Sequence, residues 1–135
     1  MTVARIELSE EVKGVITWLY YRDLPKAMEF YETVLGFNMV VDQGGAKIYR
    51  IREGAYVGLV DENRGYHRAS DIKPVILCMN VYDADSWYER VRSHDLEIEV
   101  MLKESEVLKV KVFMFRDPEG YVIEIQETLP GGLSI

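Results

Sequence analysis

Glu124 is the acidic residue whose neighbours most favour chemistry. It stands between Ile123 and Ile125, in a β-branched stretch that we predict to be a strand. A charged carboxylate among apolar neighbours and without a cation is costly to bury, so it needs a donor, a proton or water. A carboxyl group that keeps its proton would suit acid/base work or recognition of an amine or hydroxyl. The alternative is a plain structural hydrogen bond.

A second set of candidates consists of aromatic and amide side chains on predicted strands: Trp18, Tyr20, Tyr56, Asn80 and Gln126. Small-molecule pockets typically combine apolar walls with a few polar groups that orient the ligand. Large aromatics are also common core residues, so a structural role is the alternative for Trp18 and Tyr56. We predict a ligand-binding role for these five residues and a catalytic role for Glu124.

Cysteine and histidine are scarce in this chain. The single cysteine, Cys78, excludes a disulfide within the chain and a multi-thiolate zinc site. We expect it to be a small buried side chain, because no neighbouring basic residue would activate its thiol. His94 falls at a predicted helix end, where it interacts favourably with the helix dipole. His67 lies in a polar stretch that we expect to be a surface loop, although that loop could also fold over a pocket.

Composition excludes several classes of partner. Sixteen basic and 23 acidic residues give a formal net charge of −7, which is unfavourable for binding nucleic acid or anionic lipid. The longest uncharged apolar run, 15–21, is far short of the roughly 20 residues of a membrane helix. The acidic first eleven residues do not resemble a signal peptide. We therefore predict a cytoplasmic protein with neither nucleic acid nor membrane as partner.

The first half of the chain predicts the order βαβββ. The β-branched and aromatic run 15–21 is typical of a buried strand. Asp23 follows as a helix N-cap, Pro25 suits the first turn, and Gly36 is suited to end the helix. Strands are predicted over 37–41, 46–52 and 55–60, with Gly44 and Gly45 forming a hairpin turn.

The second half repeats this order. A strand over 74–81 precedes a second N-cap, Asp83, and a helix with an apolar stripe. Three strands are predicted over 96–102, 107–115 and 121–126. The chain therefore divides into an N-terminal extension (1–12), one α+β domain (13–128) made of two modules (13–61 and 74–128) joined by a linker (62–73), and a tail (129–135). Either module alone is too small to bury its sheet.

Three stretches resemble the vicinal oxygen chelate superfamily, the group of glyoxalases, bleomycin resistance proteins and extradiol dioxygenases. The first runs from Arg22-Asp23-Leu24 to the sequence Phe30-Tyr31 and Leu35-Gly36-Phe37. The second is the helix from Asp83 through Trp87-Tyr88-Glu89-Arg90-Val91. The third is the hairpin Asp117-Pro118-Glu119-Gly120 with the strand that follows it. The resemblance spans about residues 13–128.

The resemblance implies a curved, cup-shaped mixed sheet formed by the two βαβββ modules, with the helices outside. Family enzymes usually hold a divalent metal in the cup, and the corresponding positions here are Ile16, Gly58, Ile76 and Glu124. Only Glu124 offers a donor, whereas a divalent metal needs at least two or three N, O or S ligands. We therefore predict that the protein has no metal cofactor.

The family picture also indicates which side chains face the cup. In strands of alternating orientation, it places Trp18, Tyr20, Tyr56, Asn80, Glu124 and Gln126 inside. The leading hypothesis is a protein that binds a small aromatic or apolar molecule without metal, as a homodimer by resemblance. One alternative is a divalent-metal lyase, isomerase or dioxygenase with a displaced site, in which His67 or another donor from the linker or a second chain joins Glu124. The other is a metal-free enzyme with Glu124 as acid/base.

Overall fold

Three helices and eight strands make up the described part of the chain, residues 7–133 and residue 135, in a computed structural model. Part of the predicted extension, residues 1–6, lies outside the described residues. In chain order the elements are α1 (Leu8–Glu11), β1 (Val15–Tyr21), α2 (Leu24–Thr33), β2 (Asn38–Asp42), β3 (Ala46–Arg52), β4 (Ala55–Asp61), β5 (Ile76–Asn80), α3 (Ala84–Arg92), β6 (Ile98–Ser105), β7 (Val110–Arg116) and β8 (Val122–Thr128). Among the described helices, none is long and apolar enough to cross a bilayer.

Both main helices begin at the predicted aspartates. Asp23 Oδ1 accepts from the backbone N–H of Lys26 at 3.1 Å, and Asp83 Oδ1 accepts from that of Ser86 at 3.1 Å. These side-chain acceptors satisfy N–H groups that have no partner within the helix. Gly36 follows α2 with a φ of +71°, the left-handed conformation that ends helices.

The strands form two four-stranded sheets, ordered β1-β4-β3-β2 and β5-β8-β7-β6. In each sheet the first and last strands of one module pair in parallel, and the other pairs are antiparallel. This topology confirms the two βαβββ modules, here called module 1 (13–61) and module 2 (74–128). The registers of β2/β3, β3/β4 and β6/β7 contain shifts, and such bulges bend a sheet.

The hairpin between β6 and β7 differs from the prediction. The strands were expected over 96–102 and 107–115, but they run from Ile98 to Ser105 and from Val110 to Arg116. The intervening residues 106–109 form a turn, and Lys109 has a φ of +56°. The valine and leucine of this turn suggested a strand from their β-propensity alone, which a reversal of the chain overrides.

One hydrophobic core joins the two modules. It contains odd-numbered residues of β1, β4, β7 and β8, such as Leu19, Val57, Phe113 and Ile123, and the apolar faces of the helices. The rings of Phe30 on α2 and Phe115 on β7 lie 6.2 Å apart, so a helix of module 1 contacts a strand of module 2. Because strand side chains alternate, the even-numbered residues of the same strands project from the opposite sheet faces.

A buried carboxylate fixes the end of β1 to module 2. Asp117 Oδ2 accepts hydrogen bonds from the hydroxyls of Tyr21 and Tyr31, and Oδ1 accepts from the N–H groups of Glu119 and Tyr121. Burial raises the pKa of the Asp117 carboxyl, and these hydrogen bonds oppose that rise. The resulting network explains why the Asp-Pro-Glu-Gly turn stands at this point of the sequence.

Candidate functional site

Trp18 covers the even-numbered face of module 1. Its neighbour on β4 is Gly58, and a Cβ built on Gly58 would lie 2.2 Å from Cε3 of the indole. Such a distance is far inside van der Waals contact, so the ring occupies the space that any side chain at position 58 would need. Trp18 remains 38% exposed, and its free side forms an aromatic wall.

The linker folds over this same face. The His67 ring meets the Tyr20 ring edge-on, with centroids 5.3 Å apart. A Cβ on Gly65 would lie 2.5 Å from Val60 Cγ1 and 3.0 Å from Tyr20 Cε1, so the backbone at Gly65 packs directly on these side chains. The linker is an exposed loop as predicted, but it also forms one side of a pocket.

A cavity of about 350 Å³, here called the module 1 cavity, lies between the linker, the β2–β3 hairpin and the sheet. Its lining residues are Trp18, Tyr20, Gln43, Gly45, Ala46, Val60, Arg64, Gly65 and Tyr66. This volume falls in the range of small-molecule sites, and the mixture of aromatic walls with a few polar groups is typical of them.

Hydrogen bonds hold the linker in place. Asp61 donates its N–H to Gly45 O at 2.8 Å, and Ala69 donates its N–H to Glu62 Oε1 at 3.2 Å. Arg22 forms an exposed salt bridge with Asp71 at 2.7 Å. Two contacts join the ends of the linker to module 1, namely the Asp71 salt bridge and the N–H of Glu62, which donates to Tyr21 O at 3.0 Å, whereas the Ala69 contact lies within the linker.

Glu124 lies on module 2, next to Cys78 in the β5–β8 register. Glu124 is half-buried and Cys78 is exposed, so the prediction of a buried cysteine is wrong: β5 is an edge strand, and the even-numbered face of module 2 is open. Desolvation raises the pKa of the Cys78 thiol to about 12, and the neighbouring carboxylate of Glu124 adds to the rise. A thiol of this kind is a poor nucleophile at neutral pH.

Tyr56 and Asn80 meet at a different place, a cavity of about 490 Å³ beside β1 and β5, here called the junction cavity. Its wall is mostly apolar and includes Val15, Thr17, Ile51, Leu77, Met79 and Val81. Asn80 Nδ2 donates to Thr128 Oγ1 at 2.8 Å, and Asn80 is adjacent to Gln126 in the β5–β8 register.

The six predicted site residues therefore fall into three groups within one chain. Trp18 and Tyr20 line the module 1 cavity, Tyr56 and Asn80 line the junction cavity, and Glu124 and Gln126 lie on the even-numbered face of β8. The sequence interpretation missed the cavity residues Gln43, Arg64 and Tyr66, because it assigned them to a turn and a linker. The arginine and the tyrosine on either side of Gly65 are the sequence signal that could have indicated these cavity residues.

The family comparison decides what this fold is. A family model of the glyoxalase/bleomycin resistance protein/dioxygenase superfamily matches residues 13–125. The chain belongs to this superfamily. A search of curated proteins found no significant match.

Solved structures of superfamily type share the fold at low sequence identity. TioX from Micromonospora sp. ML1 is 19% identical with a TM-score of 0.73, covering 86% of this chain and 98% of TioX. A lactoylglutathione lyase from Agrobacterium tumefaciens is 23% identical with a TM-score of 0.67, covering 83% and 90%. A glyoxalase/bleomycin resistance protein/dioxygenase from Nocardioides is 22% identical with a TM-score of 0.72, covering 97% and 89%. These likenesses concern the fold.

The superfamily resemblance assigns metal ligands to positions that cannot bind a divalent ion here. Ile16 and Ile76 carry no donor atom, and the indole of Trp18 fills the space beside Gly58. Glu124 supplies the single carboxylate of the set, where at least two or three donors are needed. The residues at these positions therefore do not fit the metal.

The His67 ring lies on the linker against Tyr20, and Glu124 lies on β8 of module 2. Among the described residues, one group of acidic side chains comes within 4.8 Å, namely Asp83, Asp85 and Glu127. Lys111 Nζ binds Asp85 at 2.7 Å, and Glu127 accepts the backbone N–H of Ala84 at 2.9 Å. These contacts explain the group as the capped start of α3.

Proposed function

We propose that this superfamily member binds a small aromatic or apolar molecule in the module 1 cavity and does so without a divalent metal. The observation that carries the proposal is the indole of Trp18 over Gly58. It puts an aromatic wall where the resemblance expects a metal ligand. A flat ligand stacking on Trp18 and contacting Tyr20 would bury apolar area, which is the main source of affinity in such pockets.

A thermal-shift screen of metal-free protein against aromatic compounds tests this function. We expect hits that raise the melting temperature of the wild type but not of Trp18→Ala. Tyr82→Ala is the matched control, because Tyr82 is a fully exposed aromatic at the junction cavity. Absence of any hit, or hits lost in Tyr82→Ala and kept in Trp18→Ala, would contradict the assignment.

The alternative of a metal-dependent lyase, isomerase or dioxygenase makes a distinct prediction. Its site would include Glu124 with donors from elsewhere, such as His67 of a second copy. Elemental analysis after loading with iron, zinc or nickel would then find about one metal per chain, lost in Glu124→Gln. We expect no stoichiometric metal.

We propose that the protein is a homodimer. Apolar side chains remain exposed on the even-numbered faces of the edge strands β1 and β5, with Ile16 at 40% and Ile76 at 49%. Contiguous exposed apolar surface favours association, and a second copy could bring the face carrying Glu124 opposite the module 1 cavity. A monomeric mass by light scattering at micromolar concentration would contradict this. A cytoplasmic location remains a prediction.

A further inference from the structure

Arg64 packs against the β2–β3 hairpin so closely that a side chain at Gly44 or Gly45 would collide with it. A Cβ on Gly44 would be 2.8 Å from Arg64 Nη2, and a Cβ on Gly45 would be 2.8 Å from Arg64 Cβ and 2.9 Å from Nε. Gly44 also has a φ of +82°, which the turn requires. Gly45 has no such backbone requirement, so its missing side chain serves the close approach of the arginine.

The guanidinium of Arg64 has no acidic partner among the described residues. Asp42 is an acidic group close enough to feel its charge, but that carboxylate is already bound by Lys47 Nζ at 2.6 Å and by the N–H of Gly44 at 2.8 Å. These two contacts are the main causes of the lowered pKa of Asp42, and Arg64 contributes least. The N–H donors of the Arg64 guanidinium are therefore available to a ligand at the rim of the cavity.

We propose that Arg64 makes the module 1 cavity selective for aromatic carboxylates. The inference rests on the proposed function, since it names the class of molecule bound there. Trp18 and Tyr20 provide the surface for the ring, and the guanidinium provides two parallel N–H donors for the carboxylate. Arg64 and the two rings line the same 350 Å³ cavity, so one small molecule can reach them together.

The net charge of −7 does not oppose this specificity. Exposed charges more than about 10 Å away are largely screened at 0.1 M salt. A direct bidentate contact with an arginine is much less affected. The local cation therefore determines which end of the ligand faces the linker, while the acidity of the whole chain affects mainly the rate of encounter.

Isothermal titration calorimetry with 1-naphthoate and 1-naphthamide tests the proposal, because the two probes share a ring system and differ in charge. We expect the wild type to bind naphthoate about tenfold or more tightly than the amide, corresponding to one charge-assisted contact. Arg64→Gln should remove this preference by weakening naphthoate alone, and Arg64→Lys should restore part of it. Arg68→Gln is the control, since Arg68 lies in the same linker and donates to Asn63.

The outcomes separate the two proposals. Equal binding of both probes, with no effect of Arg64→Gln, would overturn the carboxylate specificity and leave the cavity as an apolar site. Loss of preference in Arg68→Gln instead would also overturn it. Failure of both probes to bind at millimolar concentration would contradict the carboxylate specificity and the proposed function together.

Discussion

At the scale of single residues, the pair formed by Glu124 and Cys78 shows how one carboxylate changes its neighbour. Glu124 was singled out from sequence for its own chemistry, and the contact with a thiol could not be inferred, because it depends on the β5–β8 register. The effect of Glu124 can be measured on the Cys78 thiol. Its raised pKa means that the thiol is almost entirely protonated at pH 8.

We predict that Glu124→Gln increases the alkylation rate of Cys78 several-fold at pH 8. Removing a negative charge beside the thiol favours the thiolate and lowers its pKa. The measurement is the iodoacetamide rate from pH 7 to 11, where the wild-type rate should rise about tenfold per pH unit without a plateau.

Glu127→Gln is the control for this experiment. It removes one carboxylate from the same strand, but that side chain accepts the N–H of Ala84 instead. Equal acceleration by both substitutions would show that the total charge, rather than contact with Glu124, sets the reactivity.

At the scale of elements, the N-cap of α3 links helix stability to pH. The Ser86 hydroxyl and N–H donate to Asp83 and lower the pKa of its carboxyl. A carboxylate whose pKa is lower in the folded state stabilises the fold fully above its unfolded pKa of about 3.9. That contribution is lost as the pH falls through the folded pKa.

We therefore predict that wild type exceeds Asp83→Asn in melting temperature at pH 7 and that the difference shrinks below about pH 4. Asparagine is also a good N-cap, so the substitution removes the charge and keeps the cap. Melting curves from pH 7 to pH 2 give the difference directly, with Glu97→Gln as a matched loss of one exposed charge. A difference that is independent of pH would contradict the prediction.

The elements themselves were largely predictable, and the site was only partly so. The caps Asp23 and Asp83 and the break at Gly36 have local signatures, because each acts on its own turn of the backbone. The approach of Arg64 to Gly44 and Gly45 joins two loops through tertiary contacts that leave no periodic pattern. The division of the predicted site residues among two cavities and the even-numbered face of β8 likewise depends on how the sheets pack, which alternation within one strand does not determine.

At the scale of the whole molecule, the buried Asp117 network and the shared core join the two modules, and we expect them to unfold as one cooperative unit. Trp18 lies in module 1 and Trp87 in module 2, so each tryptophan can report on one module. We predict that in each single-tryptophan variant, Trp87→Phe and Trp18→Phe, the fluorescence transition in urea coincides with the far-UV circular dichroism transition of the same variant.

Asp117→Asn should lower the free energy of unfolding by about 2–4 kcal/mol, because it replaces a buried carboxylate that accepts four hydrogen bonds. Both tryptophan signals should move to lower urea together. Asp71→Asn, which removes an exposed salt bridge, is the control and should have a much smaller effect. A shift in the Trp87 signal alone would show that the modules unfold separately.

The carboxylate of Glu119 makes one corner of module 1 depend on a residue that is synthesised much later. It accepts the N–H groups of Arg22 at 2.8 Å and Asp23 at 2.8 Å, so the corner between β1 and α2 is completed by a residue near the other end of the chain. During synthesis the amino-terminal half emerges first, with these two N–H groups still bound to water. We expect the corner between β1 and α2 to be completed only after the last hairpin has been synthesised, because a nascent chain truncated before Glu119 lacks the acceptor for these two N–H groups.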